Sequence, residues 1–182
     1  MTEGASDITY LQCAIRALHT HFPLLTTNKD GRVIHQINFL KPSGISRDIL
    51  NLGHGSSGQG SLLLRYSSLP KEYWHKPLLH PVIILYDNDA ALTSALKPAK
   101  HLKKTISTST TEAFNHIEQN LYLVKVPESS LPQNRDIESL FPQALLNTNL
   151  NGEAFNSKKP HGDNTQYGEN SIRRICCAPT RK

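Results

Sequence analysis

The fold is decided by one stretch, Pro81-Val-Ile-Ile-Leu-Tyr-Asp-Asn-Asp89. It places five consecutive apolar or aromatic residues, Val82 to Tyr86, directly before two carboxylates. An apolar run of this length, rich in β-branched residues, predicts a strand that is buried on both faces, as in a parallel sheet covered by helices. Open α/β folds bind their ligands at the carboxyl ends of such strands, so we expect the acids at a binding edge.

Asp87 and Asp89 form a candidate metal site at this strand end. They are two residues apart, so their side chains point the same way if the extended backbone continues beyond the strand. Two like charges this close repel each other unless a cation or a proton lies between them. The alternative is that Asp-Asn-Asp forms an ordinary turn or helix cap.

The length and the net charge of the chain restrict its fold and its partners only loosely. The 182 residues are enough for one domain with a hydrophobic core, and the net charge of +5 is compatible with a polyanionic partner. The N-terminus lacks a basic region followed by an apolar core, and no stretch approaches the length of a membrane span. We therefore expect a cytoplasmic protein that makes no membrane contact.

The cysteines predict neither a disulfide framework nor a structural zinc site. There are three, Cys13, Cys176 and Cys177, and no CxxC spacing occurs. Neighbouring cysteines do not readily pair with each other. A reducing compartment is the natural interpretation.

The first part of the chain predicts a helix followed by a turn and a strand. Ser6 or Asp7 caps a helix that runs to about residue 21, and residues 28–31 form a turn. Residues 32–40 alternate enough to predict a strand. The glycine-rich residues 53–60 then predict a flexible connection or a phosphate-binding loop before a helix at residues 61–66.

The second part predicts one more strand between two helices. Residues 108–117 predict a short helix, which their Ser, Thr and Asn side chains weaken. Residues 120–127 predict a second buried strand that ends at a proline, and residues 136–146 predict an amphipathic helix. Strands that alternate with helices indicate an α/β fold. We expect an α/β domain over residues 1–148 and a polar, basic, partly disordered extension over residues 149–182.

A lysine-rich run follows the acidic strand and is a candidate nucleic-acid-binding patch. It contains no acid, and its four lysines are Lys97, Lys100, Lys103 and Lys104. Such lysines either contact phosphates beside the carboxylates or form an ordinary solvated surface. The sequence leaves both interpretations open.

Several motifs together resemble the TOPRIM family. Glu3-Gly-Ala-Ser-Asp-Ile-Thr-Tyr-Leu11 is similar to its opening Glu-Gly-x-Ser/Thr-Asp motif, and residues 82–89 are similar to its strand that ends in Asp-x-Asp. The chain most resembles the TOPRIM-like domain fused behind the polymerase of some retron reverse transcriptases. Residues 120–127, 136–141, 150–155 and 166–168 follow in the order found in that domain.

The resemblance implies Mg²⁺-dependent cleavage of phosphodiester bonds on a TOPRIM-like (Rossmann-like), mostly parallel sheet flanked by helices. It implies that Glu3 is the general acid/base and that Asp87 and Asp89 hold the metal, with Glu3 sharing it. The implied partners are nucleic acid and a retron reverse transcriptase with its RNA/DNA product, in anti-phage defence. Asp7 is assigned to the helix cap, whereas Glu138 is either a further acid near the metal or, as we expect, an exposed helical carboxylate.

The chain also departs from the family. Only Met1 and Thr2 precede Glu3, so the first strand is expected to be missing, and no Tyr-x-Asp-Asp polymerase motif occurs. These departures predict a detached or truncated fragment. Two other hypotheses remain: a non-catalytic module that binds nucleic acid or a partner through its basic residues, and a phosphoacceptor-type α/β domain that uses Asp87.

Overall fold

The computed structural model has a mixed α/β architecture. It describes residues 1–40, 43–50, 55–72, 78–89, 92, 96, 106, 110–127, 136–156 and 166–168. The chain divides into two compact units. The sheet unit comprises Met1–Glu3 and Leu40–Ser139, and the hairpin unit comprises Gly4–Phe39 and Leu140–Lys182.

The helices and strands follow one another in short segments. In chain order they are α1 (Ala5–Ala17), a 3₁₀ helix (Pro23–Leu25), β1 (Thr26–Lys29), β2 (Arg32–His35), α2 (Gly44–Leu50), α3 (Gly55–Arg65), α4 (Leu69–Glu72), β3 (Val82–Tyr86), β4 (Phe114–Glu118), β5 (Leu121–Lys125), a 3₁₀ helix (Ile137–Leu140), α5 (Gln143–Leu146), β6 (Ala154–Phe155) and β7 (Gln166–Tyr167).

In the hairpin unit, β1 and β2 form an antiparallel pair around a two-residue turn. Asp30 and Gly31 take φ values of 53° and 74°, the left-handed conformation that such a tight turn requires. This confirms the predicted turn, although β2 ends at His35 and not at residue 40.

Helix α1 of the same unit begins at Ala5, with Gly4 as its N-cap, before the predicted cap residues Ser6 and Asp7, and it ends at Ala17, before the predicted residue 21. The backbone nitrogen of Gly4 donates to Oδ2 of Asp7 at 2.8 Å, so Asp7 caps the helix as expected. Cys13, on this helix, is disulfide-bonded, which the cysteine spacing did not predict.

The sheet unit contains a three-stranded mixed sheet in the order β3-β5-β4. The central strand β5 is parallel to β3 and antiparallel to β4, so the sheet is mixed. Strands β3 and β5 lie within the stretches that predicted them. The helix predicted at residues 108–117 is wrong in the described part, because Phe114–Glu118 pairs with β5. This pairing outweighs the weak local preference of the segment.

The core lies on one face of this sheet. Ile84, Leu121 and Leu123 are fully buried and cluster with Leu62 and Leu63 of α3. The opposite face is open, since Ile83 is 41% exposed. The prediction that β3 is buried on both faces is therefore wrong.

The glycine-rich stretch is helical in its second half. Helix α3 begins at Gly55, so neither a flexible connection nor a phosphate-binding loop is present at residues 55–60, while residues 53 and 54 lie outside the described residues. Leu62 and Leu63 pack into the core. Their burial holds the helix in place despite three glycines.

The helix predicted at residues 136–146 is interrupted at Pro142. A 3₁₀ helix, Ile137–Leu140, precedes the break, and the Ser139 backbone nitrogen donates to Asp136 Oδ1 at 2.9 Å. Glu138 is only 8% exposed, so the expectation of an exposed helical carboxylate is wrong.

Within the described residues, no helix combines the length and apolar character that crossing a membrane would require.

Candidate functional site

The N-terminal segment lies beside β3 and hydrogen-bonds to it in the pattern of a parallel strand. The Met1 amino group donates to the Ile83 carbonyl oxygen at 2.7 Å, and the Leu85 nitrogen donates to the Met1 carbonyl oxygen at 2.9 Å. These two bonds flank Ile84, which is the hydrogen-bond pattern of a residue pair in a parallel sheet. The residues before Glu3, from which no strand was expected, thus pair with β3 through Met1 without forming a strand of their own.

This pairing carries Glu3 to the edge of the sheet where β3 ends. Continuing the register by two residues from Ile84 sets Glu3 opposite Tyr86. The side chains interact accordingly: burial, and to a smaller extent the negative charge of Glu3, raises the pKa of Tyr86. Glu3 itself is half-buried.

The two predicted acids follow directly after β3 and differ in exposure. Asp87 is half-buried and Asp89 is exposed, while Asn88 between them is 1% exposed. Asp87 and Asp89 are thus more exposed than the residue between them. The backbone bends at residues 88 and 89, so a common direction of the two acids stays a prediction.

Asn88 carries a buried acceptor between the two acids in sequence. Its side-chain oxygen is buried and has no hydrogen-bond partner in the part of the chain that the structure describes. Leaving a buried acceptor unpaired costs about 1–3 kcal/mol. Its burial sets it apart from the more exposed Asp87 and Asp89, so the candidate metal ligands are the two carboxylates, which hard cations such as Mg²⁺ prefer.

A glutamine from α3 packs against the same strand end. Gln59 is fully buried, and its Nε2 donates to the Leu85 carbonyl oxygen at 3.0 Å. Its Oε1 has no partner among the residues described. This contact fixes α3 on the core side of β3, close to the point where the acids begin.

Asp89 also has a structural role. Its Oδ1 accepts a hydrogen bond from the backbone nitrogen of Leu92 at 3.4 Å. This contact is what the turn or cap alternative predicts. A carboxylate has a second oxygen, so this contact does not prevent a ligand role.

The neighbouring strand brings a cation to the same edge. Lys125 ends β5, pairs with Tyr86 in the register of the sheet, and is only 3% exposed. Its Nζ donates to the Thr110 carbonyl oxygen. Sequence reasoning missed this residue, although a lysine that interrupts the apolar run of residues 121–126 was a signal.

Glu3 and Asp87 lie near the same end of β3, but the register sets Glu3 beside Tyr86 on the core face, whereas Asp87 follows on the outer face. Across the described ranges, no three His, Cys, Asp or Glu side chains are grouped so as to hold a metal ion. The candidate lysines Lys97, Lys100, Lys103 and Lys104 lie outside the described residues.

Neither the protein-family models nor the solved structures contain a match to this chain.

Proposed function

We propose that this chain is a TOPRIM-like, Mg²⁺-dependent nuclease domain of retron-type reverse transcriptase origin. The observation that carries the proposal is the parallel hydrogen-bonding of Met1 to Ile83 and Leu85. It supports the proposal because a glutamate at residue 3 would be remote from Asp87 if the segment before it were unattached. Open α/β sheets bind their ligands at this edge.

The residues present suit phosphodiester hydrolysis. The carboxylates of Asp87 and Asp89 are the groups that would hold Mg²⁺. A bound Mg²⁺ supplies charge neutralisation at the phosphate and a more acidic water. Glu3 would move the proton of the attacking water. The half-buried position of Glu3 next to Tyr86 favours such a role, since a partly dry site strengthens each electrostatic interaction.

The proposal extends to the setting of the domain. Nucleic acid is the substrate, and a retron reverse transcriptase with its RNA/DNA product is the partner, in the cytoplasm and in anti-phage defence. This part is supported by the ordered set of sequence motifs. The alternative is a non-catalytic module that binds nucleic acid or a partner protein.

The first test replaces the two candidate metal ligands, Asp87 and Asp89, by neutral asparagine. Asp87→Asn and Asp89→Asn should each lower Mg²⁺-dependent cleavage at least about 100-fold, because each takes one negative charge from the metal ligands. Cleavage is followed on labelled DNA and RNA, single-stranded and duplex. Asp48→Asn, at an exposed carboxylate of α2, is the matched control and should cleave normally.

Two results would contradict the proposal. A native chain that cleaves none of these substrates with Mg²⁺ or Mn²⁺ would favour the binding module. Uptake of label at Asp87 from a small phosphodonor would favour a phosphoacceptor domain.

A second test does not depend on activity. If Mg²⁺ binds at the edge, it stabilises the folded state by about 2.7 kcal/mol at a hundredfold excess over its Kd. The melting temperature of the native chain should rise with Mg²⁺, and Asp87→Asn and Asp89→Asn should abolish the rise. An equal rise in Asp48→Asn and in both variants would place the ion elsewhere.

A further inference from the structure

The outer face of the sheet carries an exposed aromatic stack. Phe114 of β4 is 58% exposed and lies against Tyr122 of β5, with ring centroids 5.0 Å apart and planes 23° from parallel. His116 also contacts Tyr122, at 5.1 Å between ring centroids. Because Phe114 is more than half exposed, its ring has an uncovered face.

A groove opens beside this stack. Its volume is about 400 Å³, which is more than one nucleobase occupies. Its lining includes the apolar residues Leu79 and Ile83 and the rings of Phe114 and Tyr122. Gln119 adds an amide, whereas the amide of Asn120 is engaged within the protein. An apolar and aromatic lining with few polar groups suits a planar heterocycle.

We propose that this groove binds an unpaired base of single-stranded nucleic acid, which stacks on Phe114. Aromatic side chains on an open sheet face are a general means of holding single strands, because every base has a π-face. The proposal rests on the proposed function and names its substrate class: a strand with unpaired bases, since a base within a duplex presents no free face.

The groove lies on the face of β3 that leads to Asp87. Ile83, Leu85 and Asp87 alternate with the buried residues of the strand, and Asp87 is four positions beyond Ile83. At about 3.3 Å per residue, this is about 13 Å along the strand. A single strand anchored at Phe114 therefore has a short path across the sheet face to the carboxylates.

The charge of the chain favours a polyanion over a second copy. The net charge of +5 belongs to the chain as a whole, where it attracts nucleic acid and opposes self-association, and it is carried mostly by Lys and Arg residues outside the described part. The base stack would supply affinity that does not depend on salt, whereas the phosphate contacts would weaken as salt rises.

The test measures binding of fluorescein-labelled 12-mers in EDTA, where cleavage does not occur. The probes are oligo(dT), oligo(U) and a mixed-sequence duplex. Phe114→Ala should weaken single-strand binding about 5- to 100-fold, the range expected for loss of one stacking contact, and should leave duplex binding unchanged. Phe114→Tyr, which keeps an aromatic ring, should bind as the native chain does.

Phe22 provides a matched control. It is 52% exposed, close to the value for Phe114, and belongs to the hairpin unit. Phe22→Ala should bind single strands as the native chain does. Phe114→Leu keeps apolar bulk without a π-face, so it should weaken binding even if Phe114→Ala fails to fold.

Several results would overturn the inference. These are no binding of any single strand, equal affinities of Phe114→Leu and the native chain, or a concentration-dependent dimer that Phe114→Ala abolishes. The proposed function can fail separately: a native chain that binds single strands through Phe114 but never cleaves them keeps the inference and rejects the nuclease. Cleavage that needs Asp87 but is unchanged by Phe114→Ala, together with single-strand binding that is also unchanged, keeps the nuclease and rejects the inference.

Discussion

The two faces of β3 differ in what their side chains do. On the core face, Ile84 and Tyr86 are fully buried and Asn88 is 1% exposed. On the outer face, Ile83 is 41% exposed and leads to Asp87. One strand thus divides its residues alternately between stabilising the fold and facing solvent at the candidate site.

This division explains why five apolar residues in a row do not imply two covered faces. Burial of a side chain such as Ile84 contributes about 1.5–3 kcal/mol to stability, and a partly exposed one contributes less. The outer residues are therefore available for binding, because the fold depends on them weakly. An exposed apolar patch on a sheet is more informative than a buried one.

The largest expected effect is a difference in stability between substitutions on the two faces of β3. Ile84→Ala should lower the free energy of unfolding by about 2–5 kcal/mol, because it leaves a cavity among Leu62, Leu121 and the residues around them. Ile83→Ala should cost less than about 1 kcal/mol, since the side chain is already 41% exposed. Urea denaturation measures both. Equal losses would mean that the outer face is packed as tightly as the core.

The next effect is on the pH dependence of stability and tests the core face at Tyr86. Burial, assisted by Glu3, raises the pKa of Tyr86, so the folded state keeps this proton at pH values where the unfolded chain releases it. The stabilisation is complete below pH 10 and is lost as pH rises above it. One tyrosine lowers the free energy of unfolding by about 1.4 kcal/mol between pH 9 and 11.

Tyr86→Phe is the control for this titration. The hydroxyl of Tyr86 has no hydrogen-bond partner among the described residues, so its removal should leave stability at pH 7 unchanged or raise it by about 1 kcal/mol. The same variant should flatten the loss above pH 10. A Tyr86→Phe chain that is markedly less stable at pH 7 would show that the hydroxyl is paired after all. Burial also raises the pKa of Tyr66, which adds a loss of the same sign in both proteins.

Sequence predicted β3 and β5 well, but it named no strand at β1, β6 or β7 and predicted β4 as a helix. Apolar runs locate β3 and β5, since periodicity depends on the residues themselves. The same runs do not reveal what covers each face, which depends on elements far away in the chain. Strand β4 was predicted as a helix for a related reason: its conformation comes from pairing with β5.

The candidate site was predictable only in part. Asp87 and Asp89 are evident from their place after an apolar run, and Glu3 was selected only through the resemblance to TOPRIM domains. Asn88 and Lys125 were not selected, because their importance lies in their burial. A buried polar residue looks like any other asparagine or lysine until the sheet that surrounds it is known.

The smallest expected effect concerns Asp89, at the solvent end of the outer face. Its Oδ1 accepts a hydrogen bond from the Leu92 nitrogen, so Asp89→Ala should lower the free energy of unfolding by about 0.5–1 kcal/mol. Asp89→Asn keeps an acceptor at the same place and should be as stable as the native chain within about 0.5 kcal/mol. Chemical denaturation of the two variants separates the capping oxygen from the negative charge. If Asp89→Asn is fully stable and yet loses cleavage, the charge of Asp89 acts in the chemistry. If both variants lose stability equally and cleave normally, Asp89 belongs to the turn alone, and only Asp87 and Glu3 remain as candidate acids at this edge.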